Sequence, residues 1–185
     1  MSLPISYICS ETARLVRKYD EHDPVRLARE MGVIVTFEPM GKDDRDCKGF
    51  FIYQSRKKII VINSDLPDQI QRIIAAHELG HSVFHARDAR QAGFHDFALY
   101  SASSQYEYEA NLFAAEFLLD DAEVVERLSE DTFFFYAARD LMVPPELLDF
   151  KFRILKAKGL QIEPPLMARS DFLKNITRTV STPSL

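Results

Sequence analysis

The sequence predicts an α+β fold in which helices surround a small antiparallel or mixed sheet of three strands. Two observations predict it: three short apolar segments occupy residues 33–63, and from residue 65 onward apolar residues recur at helical spacing. A chain of 185 residues can bury the core of one ordinary domain. We expect a single domain over residues 1–158 and an extended or partly mobile tail over 159–185, where paired prolines interrupt any periodicity.

The first elements are two helices and three strands. We expect helices at 8–20 and 24–32, because Asp23 can cap the second helix and Pro24 suits its first turn. Strands are predicted in the segments VIVTFEP (33–39), KGFFIY (48–53) and KIIVIN (58–63). The polar segment QSRK between the last two strands indicates a hairpin.

Helices are predicted for most of the remaining chain. After Asp65, helical spacing relates seven residues that form one buried stripe: Ile70, Ile73, Ile74, His77, Gly80, His81 and Phe84. A loop over about 88–104 leads to a second long helix with the sequence QYEYEANLFAAEFLL. Two or three more helices are expected over 121–158.

Residues 136–155 have the outline of a helix-turn-helix, so 121–158 is a possible helix-turn-helix-like subdomain. The second of its two helices is largely apolar and offers few polar side chains to a DNA groove. Its four basic residues are expected to form a solvated edge: Lys151, Arg153, Lys156 and Lys158. We therefore do not expect this chain to bind DNA directly.

The amino-acid composition limits which classes of binding partner are expected. The chain has 23 basic and 28 acidic residues without long runs of like charge, which argues against a general nucleic-acid or anionic-membrane binder. Cys9 and Cys47 lack the spacing of a disulfide framework or a cysteine zinc site. We expect no signal peptide, because the first residues lack a basic segment followed by a long apolar one, and no apolar stretch of about 18 residues occurs in the sequence. We expect a soluble, cytoplasmic protein that acts on protein or peptide.

The segment AAHELGHSVFH, residues 75–85, contains an HExxH motif. His77 and His81 are four residues apart and therefore project from one helical face, where both imidazoles can bind one Zn²⁺ ion. Glu78 lies in the next sector, suited to take a proton from zinc-bound water. The alternative is a chance match with core histidines, but burying two imidazoles and a carboxylate without a cation is costly. Gly80 leaves room for another element to approach.

His85 is too distant to be a third ligand of the same ion. It lies about 12 Å along the helix axis from His77, whereas zinc–nitrogen bonds are about 2.0–2.1 Å long. A metzincin arrangement is also excluded, because the position six residues after His81 is Arg87. We expect His85 in the core or hydrogen-bonded to a ligand.

The third ligand is sought on the helix that begins near residue 105. Helical phase groups Glu107 with small residues suited to close packing, and groups Glu109 with Glu116 and Asp120 on an acidic stripe suited to water. Glu107 is therefore the expected ligand, and substituting Glu109 is expected to leave zinc bound. Asn111 either orients a ligand histidine or satisfies a nearby backbone group. Candidates to stabilise the oxyanion of a tetrahedral intermediate are His95, Tyr100, Tyr106 and Tyr108.

These motifs together resemble the ImmA/IrrE family of zinc metallopeptidase-like proteins. The matching segments are LAREMGV, then IIVIN ahead of IIAAHELGHSVFH, and EYEANLFAAEFLL, so the resemblance covers residues 8–157. It implies a minimal zincin-like, gluzincin-type domain with ligands His77, His81 and Glu107, general base Glu78, and Asn111 hydrogen-bonded behind a ligand. One departure is the pair Asp120 and Asp121, where family members commonly have Met-Pro.

The resemblance implies a zinc-dependent endopeptidase that cleaves a cytoplasmic helix-turn-helix repressor, as family members encoded on bacterial mobile elements do. The intact Glu78 favours catalysis, because a binding module does not need that residue. The alternative is a metal-dependent binding or sensor module that derepresses a transcription regulator without proteolysis. A purely structural zinc site is disfavoured, because such sites have four protein ligands and only three converge here.

Overall fold

The computed structural model describes residues 2–43, 45–92, 104–128, 134–162, 168–171 and 173. The described helices are α1 (Ile5–Tyr19), α2 (Pro24–Glu30), α3 (Asp68–Phe84), α4 (Ala86–Ala92), α5 (Ser104–Leu118), α6 (Asp121–Leu128), α7 (Phe134–Asp140) and α8 (Pro145–Ala157). The strands are β1 (Ile34–Glu38), β2 (Gly49–Gln54) and β3 (Lys57–Asn63). The expected α+β class is confirmed, and Asp23 caps α2 by accepting a hydrogen bond from the Arg26 backbone N–H.

The three strands form a mixed sheet in the order β1-β3-β2. β1 pairs with β3 in parallel, with Ile34 opposite Ile59, whereas β2 pairs with β3 antiparallel. Ser55 and Arg56 join β2 to β3 with φ angles of 50° and 64°, the left-handed geometry of a two-residue hairpin turn. The sheet thus presents β2 as one edge, and α3 packs against both β2 and β3.

A close crossing of α3 and α5 brings the two halves of the predicted site together. A Cβ atom added at Gly80 would lie 3.1 Å from the Ala110 Cα and 3.2 Å from the Phe113 Cβ. These distances are shorter than most Cβ contacts, so a side chain at this position would push the two backbones apart. The expectation that Gly80 makes room for another helix is therefore confirmed, and α5 is that helix.

The predicted loop over about 88–104 is wrong in its first residues, because α4 continues to Ala92. Its sequence ARDARQA contains good helix formers and no glycine or proline, so nothing ends the helix before Gly93. Residues 93–103 lie outside the described residues. Beyond α5, Asp120 accepts hydrogen bonds from the backbone N–H groups of Ala122 and Glu123 and so caps α6.

Two surfaces that were expected to face water instead face each other. Lys151 on α8 is only 1% exposed, and its ammonium group lies 2.6 Å from carboxylate oxygens of both Glu116 and Asp121. Lys158 contacts the same two carboxylates. The expectation that Lys151 and Glu116 face water was wrong. Helical phase identifies a polar stripe on a helix, but it does not show whether another helix covers that stripe.

Part of the predicted tail contacts the helices. The Ala168 backbone N–H donates to the buried carboxylate of Asp149 at 2.9 Å, and Arg153 donates to the Ala168 carbonyl at 2.8 Å. Leu173 is 6% exposed and belongs to the hydrophobic core. The expected boundary between the domain and the tail at residue 158 stays a prediction. No helix within the described ranges has the length and apolar character that a membrane crossing requires.

Candidate metal centre

Three donor groups converge between α3 and α5. The Nε2 atoms of His77 and His81 lie 3.1 Å apart. A carboxylate oxygen of Glu107 lies 3.3 Å from the first and its other oxygen 3.5 Å from the second. All three residues are buried, and one donor atom from each lies within 4.8 Å of the others. The separation of His77 and His81 follows from one helical turn, whereas Glu107 arrives through the crossing at Gly80.

The spacing of these donors fits a tetrahedral cation. With zinc–ligand bonds of about 2.0–2.2 Å and tetrahedral angles, neighbouring donor atoms are about 3.4 Å apart. The three observed separations run from 3.1 to 3.5 Å. Two imidazoles and one carboxylate also match the donor set of the histidine-and-glutamate zinc peptidases. The residues present therefore suit a zinc ion in donor type and in approximate spacing.

The pKa values of the three donor residues are shifted in different directions. Burial lowers the pKa of His81 to about 4, although Glu107 opposes the shift. Burial also disfavours the charged form of His77, but the adjacent Glu107 carboxylate outweighs it and raises the pKa of His77. The same contacts outweigh burial at Glu107 and hold its pKa far below the usual range. An anionic carboxylate and a neutral His81 are the forms that bind metal.

Glu78 lies beside the donor cluster at the edge of the sheet. Burial raises the pKa of its carboxyl to about 7, while the Phe51 backbone N–H on β2 donates to the carboxylate and acts in the opposite direction. A Cβ added at Gly49 would collide with Ile74 and come within 3.8 Å of the Glu78 Cγ. Gly49 therefore allows β2 to lie directly against the segment of α3 that carries Glu78.

His85 is the residue after α3, and it contacts His81 on the side remote from the donor cluster. Its Nδ1 lies 3.0 Å from the Nδ1 of His81, the nitrogen remote from the donor cluster. Its Nε2 lies 3.0 Å from a carboxylate oxygen of Glu109. His85 is 1% exposed and does not reach the cluster itself, in keeping with its expected place in the core or behind a ligand.

The expected solvent exposure of Glu109 is wrong, since this residue is 1% exposed. Its second oxygen accepts hydrogen bonds from the Leu3 backbone N–H, the Ser2 hydroxyl and the Gln105 amide. The physical reason is that α5 packs against α1 and α8 as well as α3. Little of the helix is left to face water. The apolar run ANLFAA is the sequence feature that is consistent with burial on all sides.

Asn111 lies one turn after Glu107 and is fully buried. Its amide nitrogen donates to the Ser170 carbonyl at 2.6 Å. Its amide oxygen and the Nδ1 of His77 are both buried. A side-chain contact with Asn111 adds, after that of Glu107, to the raised pKa of His77. Thus Asn111 donates to a backbone carbonyl and also lies beside His77.

The candidates for oxyanion stabilisation are placed differently. Tyr106 packs against His85 with ring centroids 4.5 Å apart and the ring planes tilted by 34°, and its hydroxyl donates to Asp88 at 2.9 Å. Tyr108 packs against Phe150 on α8. His95 and Tyr100 lie outside the described residues. The role of each of these four residues in catalysis stays a prediction.

Comparison with known proteins assigns the chain to a family. The Peptidase_M78 model, described as the IrrE N-terminal-like domain, matches residues 28–153, which is more than half of the chain. The chain belongs to the Peptidase_M78 family. It is also 36% identical over 118 residues to a protein of Bacillus phage phi105 named uncharacterized immunity region protein 2. That alignment covers 64% of this chain and 72% of the phage protein.

Membership of the Peptidase_M78 family implies a peptidase and, with it, a metal centre. The matched region contains both α3 and α5, the two helices that supply the donor atoms. The group of His77, His81 and Glu107 could hold the metal. The resemblance inferred from the sequence is therefore confirmed at the level of the family.

Proposed function

We propose that this Peptidase_M78 chain is a zinc-dependent endopeptidase in which His77, His81 and Glu107 bind Zn²⁺ and Glu78 is the general base. The observation that carries the proposal is the convergence of three buried donor atoms at tetrahedral spacing, with a buried carboxylate next to them on α3. Catalytic zinc sites have three protein ligands, whereas structural sites have four. The three donors found in the described part of the chain favour a catalytic site.

The bound ion would act as a Lewis acid that polarises the scissile carbonyl and acidifies water. Glu78 takes a proton from the water that attacks the carbonyl carbon, and later gives that proton to the leaving amine when the C–N bond breaks. A pKa of about 7 suits both transfers at neutral pH. The Phe51 N–H fixes the orientation of the carboxylate during this exchange.

The remaining polar groups orient the ligands. The Ser170 carbonyl can only accept a hydrogen bond, so it holds the amide nitrogen of Asn111 and leaves the amide oxygen for the N–H at His77 Nδ1. With a proton on Nδ1, the Nε2 of His77 presents its lone pair to the metal. His85 occupies the corresponding position behind His81. Such hydrogen bonds fix the tautomer of a metal-binding histidine.

We infer that the substrate is a cytoplasmic protein, namely a helix-turn-helix transcriptional repressor. The support is the relative named as a phage immunity region protein, together with the family resemblance. Direct DNA binding by this chain is not proposed, because the helix in the recognition position, α8, buries most of its side chains in the core. The proposed peptidase domain spans residues 1–158, with a possible helix-turn-helix-like subdomain over 121–158.

The test combines the purified full-length chain with the helix-turn-helix regulator encoded beside it, with zinc or with a chelator. Glu78→Gln keeps the size of the side chain but cannot accept the proton. Glu38→Gln, an exposed residue on β1, is the matched control. We expect zinc-dependent fragments from wild type and Glu38→Gln, identified by mass spectrometry, and at least a 100-fold slower cleavage by Glu78→Gln.

The rival function predicts a different outcome of the same experiment. A metal-dependent binding module would release the regulator from DNA without fragments, and Glu78→Gln would release it as well as wild type does. That result would overturn the endopeptidase proposal while leaving a metal-dependent interaction in place.

A further inference from the structure

A chain of hydrogen bonds extends from the metal cluster to the N-terminal segment. It runs from the Nδ1 of His81 to the Nδ1 of His85, and from the Nε2 of His85 to Glu109, at 3.0 Å in each case. Glu109 in turn accepts from the Leu3 backbone N–H at 2.8 Å. His85 and Glu109 are each 1% exposed, so exchange with bulk water does not replace these bonds.

The direction of each hydrogen bond follows from Glu109. Four donors surround its carboxylate: Leu3 N, Ser2 Oγ, Gln105 Nε2 and His85 Nε2. A carboxylate in this setting only accepts, so the Nε2 of His85 carries its proton and the Nδ1 of a neutral His85 is an acceptor. His81 must then donate from Nδ1. The consequence is that the Nε2 of His81, which lies 3.1 Å from the Nε2 of His77 and 3.5 Å from a Glu107 oxygen, is the unprotonated nitrogen of the ring.

We propose that Glu109 is a positioning residue for the metal site, which acts through His85 to hold His81 in the tautomer that can bind zinc. The inference rests on the proposed zinc site. It reverses the expectation that Glu109 faces solvent and is dispensable for zinc binding. The α5 helix thus supplies a ligand at Glu107 and, two residues later, the carboxylate that fixes a ligand on α3.

Glu109→Gln is a sharp test because the new amide has only one acceptor oxygen. The Leu3 backbone N–H and the Gln105 amide occupy one side of the group, so the glutamine oxygen is held there and its NH₂ faces His85. His85 Nε2 must then accept, its Nδ1 must donate, and His81 carries its proton on Nε2. The variant therefore reverses the hydrogen bonds and protonates the atom that should bind zinc.

Zinc affinity of the full-length chain is measured by competition with a chromophoric chelator. Glu109→Gln is expected to bind zinc about 10- to 100-fold more weakly than wild type, the usual effect of losing a hydrogen bond behind a metal ligand. Gln105→Ala is the control, because it removes another donor to Glu109 but leaves the bond to His85, and its affinity should stay within about twofold of wild type.

Two further measurements distinguish a positioning role of Glu109 from a merely structural one. Nitrogen-15 spectra of the zinc-free chain should show His81 as the Nδ1–H tautomer in wild type and as the Nε2–H tautomer in Glu109→Gln. His85→Phe should also weaken zinc binding, and adding Glu109→Gln to it should cause no further loss, because Glu109 acts only through His85. His85→Phe alone keeps the test valid if Glu109→Gln folds poorly, because it interrupts the same link to His81 without changing Glu109.

The outcomes distinguish this inference from the function on which it rests. If wild type binds no zinc, the metal site and the inference are both overturned. If wild type binds zinc and Glu109→Gln binds it equally well with an unchanged His81 tautomer, only the inference is overturned. Additive losses in the double variant would likewise contradict action through His85.

Discussion

Lys151 illustrates how single residues hold the helices around the site. Its ammonium group is buried, and it lies 2.6 Å from both Glu116 on α5 and Asp121 at the start of α6. Lys158, which is partly exposed, contacts the same carboxylates from the end of α8. A buried lysine is stable only with such charged partners. This network fixes α8 against α5, the helix that carries Glu107 and Glu109.

The acid dependence of stability should reflect Asp121. Burial would raise the pKa of its carboxyl, but Lys151 and Lys158 outweigh that effect and lower it. A depressed folded-state pKa contributes stability above the unfolded value of about 3.9, and this contribution is lost as pH falls through the folded pKa. Asp121→Asn should therefore lower the unfolding free energy at pH 7 by about 1 kcal/mol or less, since the side chain is 43% exposed.

Urea unfolding at pH 7 and at successively lower pH measures this difference. The gap between wild type and Asp121→Asn should narrow as the solution is acidified towards pH 3, because the wild-type carboxylate then loses its charge. Glu123→Gln, a 52% exposed residue 3.8 Å from Arg127, is the control and should change stability little. A gap that stays constant from pH 7 to pH 3 would contradict the assigned role of the Asp121 charge.

At the scale of elements, the site depends on how closely α3 and α5 approach. The carbonyl of Ala110 would lie 3.3 Å from a Cβ at position 80, and a backbone group cannot rotate out of the way as a side chain can. On the other side of α3, Gly49 lets β2 reach Glu78. Two glycines thus set the distances from α3 to α5, which carries the proposed third ligand Glu107, and to β2, which lies against the proposed general base Glu78.

Gly80→Val should separate α3 from α5 and displace Glu107. Overpacking of this kind costs about 1–3 kcal/mol of unfolding free energy. Because the displaced carboxylate no longer completes the donor set, zinc affinity should fall by more than the stability loss alone would cause. Thermal unfolding and chelator competition measure the two effects. Ala13→Val, at an exposed position of α1, is the control, and normal zinc affinity in Gly80→Val would refute the role given to this crossing.

At the scale of the whole molecule, the sequence predicted the fold class, the three strands and the donor set His77, His81 and Glu107 that the structure brings together. These features follow from local periodicity and from motif spacing, which a sequence displays directly. Its errors concern α5. Glu109 and Glu116 were placed in water because phase arguments assume one buried face, whereas α5 is covered by α1, α3 and α8.

The described part of the tail adds a contact that no local pattern indicated. Ser170 meets Asn111 across 59 residues of sequence, and Ala168 meets Asp149. Such contacts depend on the path of the chain between elements, which periodicity does not encode. They place the tail segment next to Asn111, which lies one helical turn after Glu107.

The location of bound zinc tests the central proposal most directly. Crystals of the full-length chain with zinc should give one anomalous-difference peak at the zinc absorption edge, with bonds of about 2.0–2.2 Å to the Nε2 atoms of His77 and His81 and to the Glu107 carboxylate. Glu107→Gln should lose the peak, and Glu123→Gln should keep it. A zinc ion bound elsewhere, or one retained by Glu107→Gln at the same position, would contradict the account.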